Sequence, residues 1–126
     1  MKILAGILLS LLLLAGCSAA APVSYRQIDQ KEAMSLMGTE QDCIILDVRT
    51  PQEFSAGHIP DAINIPVESI GAEEPAHLPQ KDQLIMVYCR SGNRSKKASE
   101  KLAAMGYTNI VEFGGINTWP GEVVTD

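Results

Sequence analysis

Hydrophobic and polar positions fall in blocks along this 126-residue chain, and most blocks predict one element. Cys43-Ile44-Ile45-Leu46 runs into Asp47-Val48 as an almost unbroken apolar stretch with polar residues on either side. That is the pattern of a strand buried on both faces of a parallel sheet. Leu84-Ile85-Met86-Val87-Tyr88 repeats it, with Cys89 standing where the run ends. Two shorter runs, Ala62-Ile63-Asn64-Ile65 and Ile110-Val111-Glu112-Phe113, predict further strands, the second ending before Gly114-Gly115. Helical signals lie between them. Asp29 as N-cap with Glu32 three residues on opens a helix through Ala33, Leu36 and Met37 that ends near Gly38. Thr50-Pro51-Gln52-Glu53 supplies an N-cap, a proline at the first helical position and a capping glutamate, so a short helix is expected to about Ala56, before Gly57. Val67 to Ile70 reads as a helical turn, followed by a polar connector through Glu74, Pro75 and Pro79 that is expected on the surface. Ala98, Leu102 and Met105 recur at helical spacing opposite Lys96, Lys97, Glu100 and Lys101, which predicts an amphipathic helix closed by Gly106. Strands alternating with helices define an α/β layer fold with a mainly parallel sheet.

The N-terminus follows a different rule. Met1-Lys2 gives a positive start, and the apolar run from Ile3 to Leu14 is broken only by Gly6 and Ser10. Such a run has the size of the apolar region of a signal peptide and is short of the about 20 residues a membrane span needs. Leu14-Ala15-Gly16-Cys17 resembles the bacterial lipoprotein box, which implies cleavage before Cys17 and lipidation of that cysteine. Ser18 after it is, by the same resemblance, compatible with sorting to an outer membrane. The expected organisation is a lipoprotein-type signal peptide over 1–16, a tether of small residues over 17–24 and one domain over 25–126. The location is then the cell envelope, on the periplasmic side of a bacterial membrane, with a lipid anchor.

Composition narrows the partners. Ten Lys and Arg against 15 Asp and Glu give a net charge of −5, and the basic residues are scattered, so no electrostatic footprint for nucleic acid is present. Of the three cysteines, Cys43 and Cys89 remain once Cys17 is set aside, and neither sits in a CxxC pair or a Cys/His cluster of metal-site spacing. No metal or organic cofactor is implied. Cys43 opens its strand and Cys89 closes another, so in parallel strands about five residues at roughly 3.3 Å each separate them, beyond the about 7 Å reach of a disulfide.

The chemistry concentrates at Cys89-Arg90-Ser91-Gly92-Asn93-Arg94-Ser95, between a buried strand and a helix. The carboxyl end of such a strand is where open α/β sheets bind ligands, and the following helix N-terminus offers free N–H groups to an anion. The same field favours thiolate over thiol. Arg90 and Arg94 add fixed positive charge suited to an oxyanion, and Gly92 lets the backbone turn its amides inward. A buried cysteine is often only a small hydrophobe, but one chosen for packing has no need of two arginines, a glycine and two hydroxyls within six positions. Cys89 is therefore the candidate nucleophile.

At these residues the sequence resembles the rhodanese family of sulfurtransferases, over roughly Tyr25 to Gly121. Three blocks carry the resemblance: Asp47-Val48-Arg49 with Glu53-Phe54 and Gly57-His58-Ile59-Pro60-Asp61-Ala62-Ile63-Asn64-Ile65-Pro66; Tyr88 to Ser95; and Gly114-Gly115-Ile116-Asn117-Thr118-Trp119. Asp61 stands where the family often has glycine. The resemblance implies a rhodanese-like three-layer domain with a central sheet of about five strands. It further implies a Cys89 persulfide, thiosulfate as donor, and cyanide or a thiol as acceptor, with a protein acceptor or a carrier role for an envelope partner left open. Residues 90 to 95 would bind the substrate. Asp47 and Arg49 are expected at the pocket rim, with Arg49 paired to Glu53 four residues on. A phosphatase or arsenate reductase is the rival, since certain phosphatases share the fold. Cys89 to Arg94 is C-x4-R, however, one residue shorter than the C-x5-R loop that holds phosphate. A binding module without catalysis typically lacks the cysteine. His58, after a turn glycine, is read as structural because a thiolate activated by its loop needs no base. His77 and the lysines of the last helix are read as solvated, and Trp119 as a cover for the sheet edge or pocket wall.

Overall fold

The computed structural model describes residues 24–71 and 73–125. The expected signal segment, Cys17 and the tether up to residue 23 lie outside the described residues. Five strands, β1 (Arg26–Gln27), β2 (Ile44–Asp47), β3 (Ile63–Asn64), β4 (Ile85–Cys89) and β5 (Ile110–Gly115), form one sheet in the order β1-β5-β4-β2-β3. Every pairing between them is parallel. Helices α1 (Gln30–Thr39), α2 (Pro51–Ala56) and α3 (Asn93–Ala104) complete an α/β fold.

The caps read from sequence are in place. The Asp29 carboxylate accepts from the Glu32 N–H at 2.7 Å, and Thr50 and Glu53 form a reciprocal capping box ahead of Pro51. The apolar run 85–89 is buried throughout, as a central strand requires. Side-chain alternation divides it between two cores. Ile85, Val87 and Cys89 join Ala98 and Leu102 of α3 on one face. Met86 and Tyr88 join Ala33 of α1 on the other, where Phe54 of α2, Phe113 and Trp119 also pack.

Four departures from the sequence reading have local causes. Strand β1 carries no apolar signature, because its two exposed polar residues become a strand only through pairing with Val111 and Glu112 of β5. The connector after Ile70 is not wholly superficial: Leu78 is buried, and its carbonyl accepts from the Tyr107 hydroxyl at 2.6 Å. Lys101 is tied down, donating to the Val67 carbonyl at 3.1 Å, whereas Lys96 and Lys97 are exposed as expected. The expected Arg49–Glu53 pair does not form. Arg49 precedes α2 rather than sitting on it, so helical spacing does not apply. Its guanidinium turns back to Asp47 (2.7 Å) and to the Gly57 carbonyl (2.7 Å).

Register settles the cysteine question. Ile44 pairs with Ile85 and Asp47 with Tyr88, so Cys43 and Cys89 lie toward opposite ends of the sheet, both as free thiols. Asp61 adopts a left-handed conformation (φ 67°), which explains why glycine suits that turn.

The Asp47–Arg49 pair is buried on both sides, with 0% and 6% of the side chains exposed. Arg49→Ala strands a charged carboxylate and is expected to lower the unfolding free energy by about 3–5 kcal/mol, read by urea denaturation.

Candidate active site

Cys89 ends the central strand at the point where the sheet order reverses: the chain leaves β2 toward β3 on one side and β4 toward β5 on the other. Ligands of open α/β sheets bind at this crevice. Only Arg90, Ser91 and Gly92 separate the strand from α3. The tight turn needs Gly92 in the left-handed region (φ 106°), and its N–H points to Cys89 Sγ at 3.0 Å. Gly115 meets a second steric demand, since a Cβ there would collide with the Arg90 carbonyl. That carbonyl in turn accepts from the Asn117 N–H at 3.2 Å. The glycine pair that ends β5 thus lets the strand close against the loop.

The sulfur sits in a field of donors. Burial by itself would raise the Cys89 pKa, but the Ser95 hydroxyl and the amides of Ser95, Gly92 and Ser91 outweigh it and hold the thiol below its ordinary value. Burial pushes the Cys43 thiol in the opposite direction. The two cysteines therefore differ in kind: the loop favours the thiolate of Cys89, and burial disfavours that of Cys43.

Of the predicted site residues, Cys89, Gly92 and Ser95 come together directly: Cys89 Sγ lies 3.4 Å from Ser95 Oγ. Arg90, Ser91 and Asn93 are exposed on the rim. Arg94 is not waiting open for an anion. Its guanidinium grips Glu53 with two hydrogen bonds, of 2.6 and 2.9 Å, so α2 and α3 are joined across the crevice. Arg94 pulls the Glu53 carboxyl down to about 2, against partial burial and with help from Thr50. Asp47 and Arg49 lie apart from the sulfur: Asp47 pairs in register with Tyr88, whose side chain faces away from Cys89. They brace the ends of α2, the helix that carries Glu53, through the Gly57 carbonyl. His58 is buried, stacks on Phe54 with ring centroids 3.9 Å apart, and has Nδ1 3.0 Å from the Phe54 carbonyl. Trp119 packs on Phe113 as a wall of the other core.

Two participants escaped the sequence reading. Spacing alone pairs Glu53 with Arg49, whereas the fold brings it to Arg94. Glu112 was read only as part of a strand, yet it is buried at 3% exposure with its Oε2 2.8 Å from Ser95 Oγ. A charged residue inside an otherwise apolar strand run was the available signal.

The chain matches the rhodanese-like domain family over residues 29–122 and belongs to it. It is 35% identical over 94 residues to a sulfurtransferase of Allochromatium vinosum, covering 74% of this chain and 86% of that one. It is 37% identical over 71 residues to the thiosulfate sulfurtransferase PspE of Escherichia coli, covering 56% of this chain and 68% of that one. Among solved structures, a rhodanese with anions from E. coli superposes with a TM-score of 0.61 at 32% identity, covering 67% of this chain and 99% of that one. The rhodanese-like domain of an Anabaena protein reaches 0.72 at 25% identity, covering 82% and 81%.

The lowered Glu53 pKa has a stability consequence. Its charged form is favoured in the fold, so the contribution is present above the ordinary carboxylate value and is lost as pH falls toward about 2. Glu53→Gln should flatten the acid limb of stability between those values, measured as urea midpoint against pH.

Proposed function

We propose that this protein is a thiosulfate sulfurtransferase that works through a persulfide on Cys89. One observation carries the reading: a buried thiol at the end of the central strand receives the Gly92 N–H at 3.0 Å and has a lowered pKa inside a three-residue turn. The turn suits one added sulfur atom better than a phosphate group. Sulfurtransferases among the relatives support the same class of chemistry.

The Cys89 thiolate attacks the outer sulfur of thiosulfate, whose S–S bond breaks with its electron pair leaving on sulfite. The product is a Cys89 persulfide anion. A nucleophilic acceptor, cyanide or a thiol, then bonds to the terminal sulfur, and the persulfide S–S bond returns its pair to Sγ. Amides of the turn hold the anion as fixed donors. Arg90, which is exposed, steers the donor anion, whereas Arg94 shares its charge with Glu53 and stabilises departing sulfite from the rim. No step calls for a metal or organic cofactor. A protein acceptor in the envelope is compatible with the same cycle.

The N-terminal pattern adds a place to the chemistry. Leu14-Ala15-Gly16-Cys17 supports cleavage before Cys17, lipidation there, and display on the periplasmic side of a bacterial membrane. In a bacterial host, Cys17→Ser is expected to move the protein from the membrane fraction to the soluble one; an unchanged distribution overturns the anchor.

After exposure to thiosulfate, the Cys89 peptide should gain the mass of one sulfur atom. Cys89→Ala should abolish transfer from thiosulfate to cyanide with its circular dichroism unchanged. Activity retained in that variant would sink the assignment.

A further inference from the structure

The hydroxyl of Ser95 has one proton and too many claimants. Its Oγ lies 2.8 Å from Glu112 Oε2, 2.9 Å from the Gly92 carbonyl, 3.4 Å from Cys89 Sγ and 3.5 Å from the Gly114 carbonyl. Carbonyls, a carboxylate and a thiolate can all only accept. Glu112 is held as an acceptor from its other sides as well. Its Oε2 takes the Gly114 N–H at 2.8 Å, and Oε1 takes a proton of the Gln27 amide at 3.3 Å. Both of its oxygens thus accept from donors other than Ser95. The sulfur and the carboxylate therefore compete for a single hydroxyl proton, and the carboxylate has the shorter contact.

We propose that Glu112 is a positioning residue that draws the Ser95 proton away from Cys89 and so sets the basicity of the reacting sulfur. The inference rests on Cys89 being that sulfur, as argued above. Its chemical sense lies in the two halves of the cycle. A sulfur deprived of one hydrogen bond is more basic, hence a stronger nucleophile toward the donor and a poorer leaving group when the persulfide discharges. The backbone amides of Ser95, Gly92 and Ser91 prevent the opposite extreme, since they favour the thiolate whichever way the hydroxyl proton points. Other polar and charged groups around this pair are Tyr25 and Gln27 ahead of and on β1, Asp29 and Lys96 lining the adjoining cleft, and the Arg94–Glu53 pair on the far side. None of them is in position to take the Ser95 proton.

The test is the pH dependence of alkylation by iodoacetamide, followed on the Cys89 peptide of the intact protein and of Glu112→Gln. The glutamine amide can donate to Ser95 Oγ, which frees the hydroxyl proton for sulfur. A charge-assisted hydrogen bond moves a midpoint by about one unit. The thiolate fraction then rises about tenfold on the acid side, and the lower nucleophilicity of a less basic thiolate takes back about threefold. The curves should cross: Glu112→Gln reacts about threefold faster below the midpoint and about threefold slower above it. A merely structural role would scale the whole curve without moving the midpoint. In a Ser95→Ala background the Glu112→Gln shift should vanish; persistence at full size would show direct charge repulsion and overturn the proposal, as would an unmoved midpoint. Where Glu112→Gln does not fold, Glu112→Asp, which keeps the charge and withdraws the oxygens by one methylene, is expected to give the same crossing. Alkylation reads the sulfur whether or not thiosulfate is a donor, so crossing curves without a persulfide would refute the proposed function and leave this inference standing.

Discussion

The structure turns on a buried sulfur atom that faces a backbone amide across a three-residue turn. Placing Cys89 at the end of a fully buried central strand removes it from water, which by itself disfavours a thiolate. The turn reverses that preference through the hydroxyl and amide of Ser95 and through Gly92, whose left-handed conformation aims its N–H at Sγ. Everything near the site serves to keep this turn tight. Gly115 leaves room for the Arg90 carbonyl, Asn117 gives that carbonyl a hydrogen bond, and the Lys96 N–H ties the first turn of α3 to the Gly92 carbonyl at 3.3 Å. Enlarging any one of these contacts would open the turn and return the sulfur to an ordinary buried thiol.

A second constraint acts at the crevice. Because the sheet order reverses beside β4, α2 and α3 begin on neighbouring strands and approach each other at their N-terminal turns. Glu53 and Arg94 meet there, and each is supported from behind: Glu53 by the Thr50 capping box, and α2 by the buried Asp47–Arg49 pair that holds the Gly57 carbonyl. The arginine that an anion-binding loop would offer freely is thereby shared with a carboxylate. Its charge at the rim is tempered.

Much of this could be read in the order of residues. The apolar runs before Asp47 and through Tyr88, the capping residues Asp29, Thr50 and Glu53, and the spacing of Ala98 and Leu102 have local causes, so sequence expressed them directly. Cys89 stands out as a candidate for a similar reason: the arginines, the glycine and the serines of its turn adjoin it in sequence. Strand β1 was not legible, since Arg26 and Gln27 are exposed and extended only by virtue of β5. Nor were the partners of Arg49 and Arg94, because neighbours four residues apart are a guide only within a helix, and Arg49 stands just outside one.

The chain alone therefore determined the layers, the helix starts and the candidate cysteine, all of them set by periodicity or by residues adjacent in sequence. Tertiary structure decided which charges pair and which groups press on the sulfur. Glu53 reaches Arg94 and Glu112 reaches Ser95 across 41 and 17 residues of chain. Such contacts depend on strand order and on the parity of side chains across the sheet, which arise only when separate strands come into register.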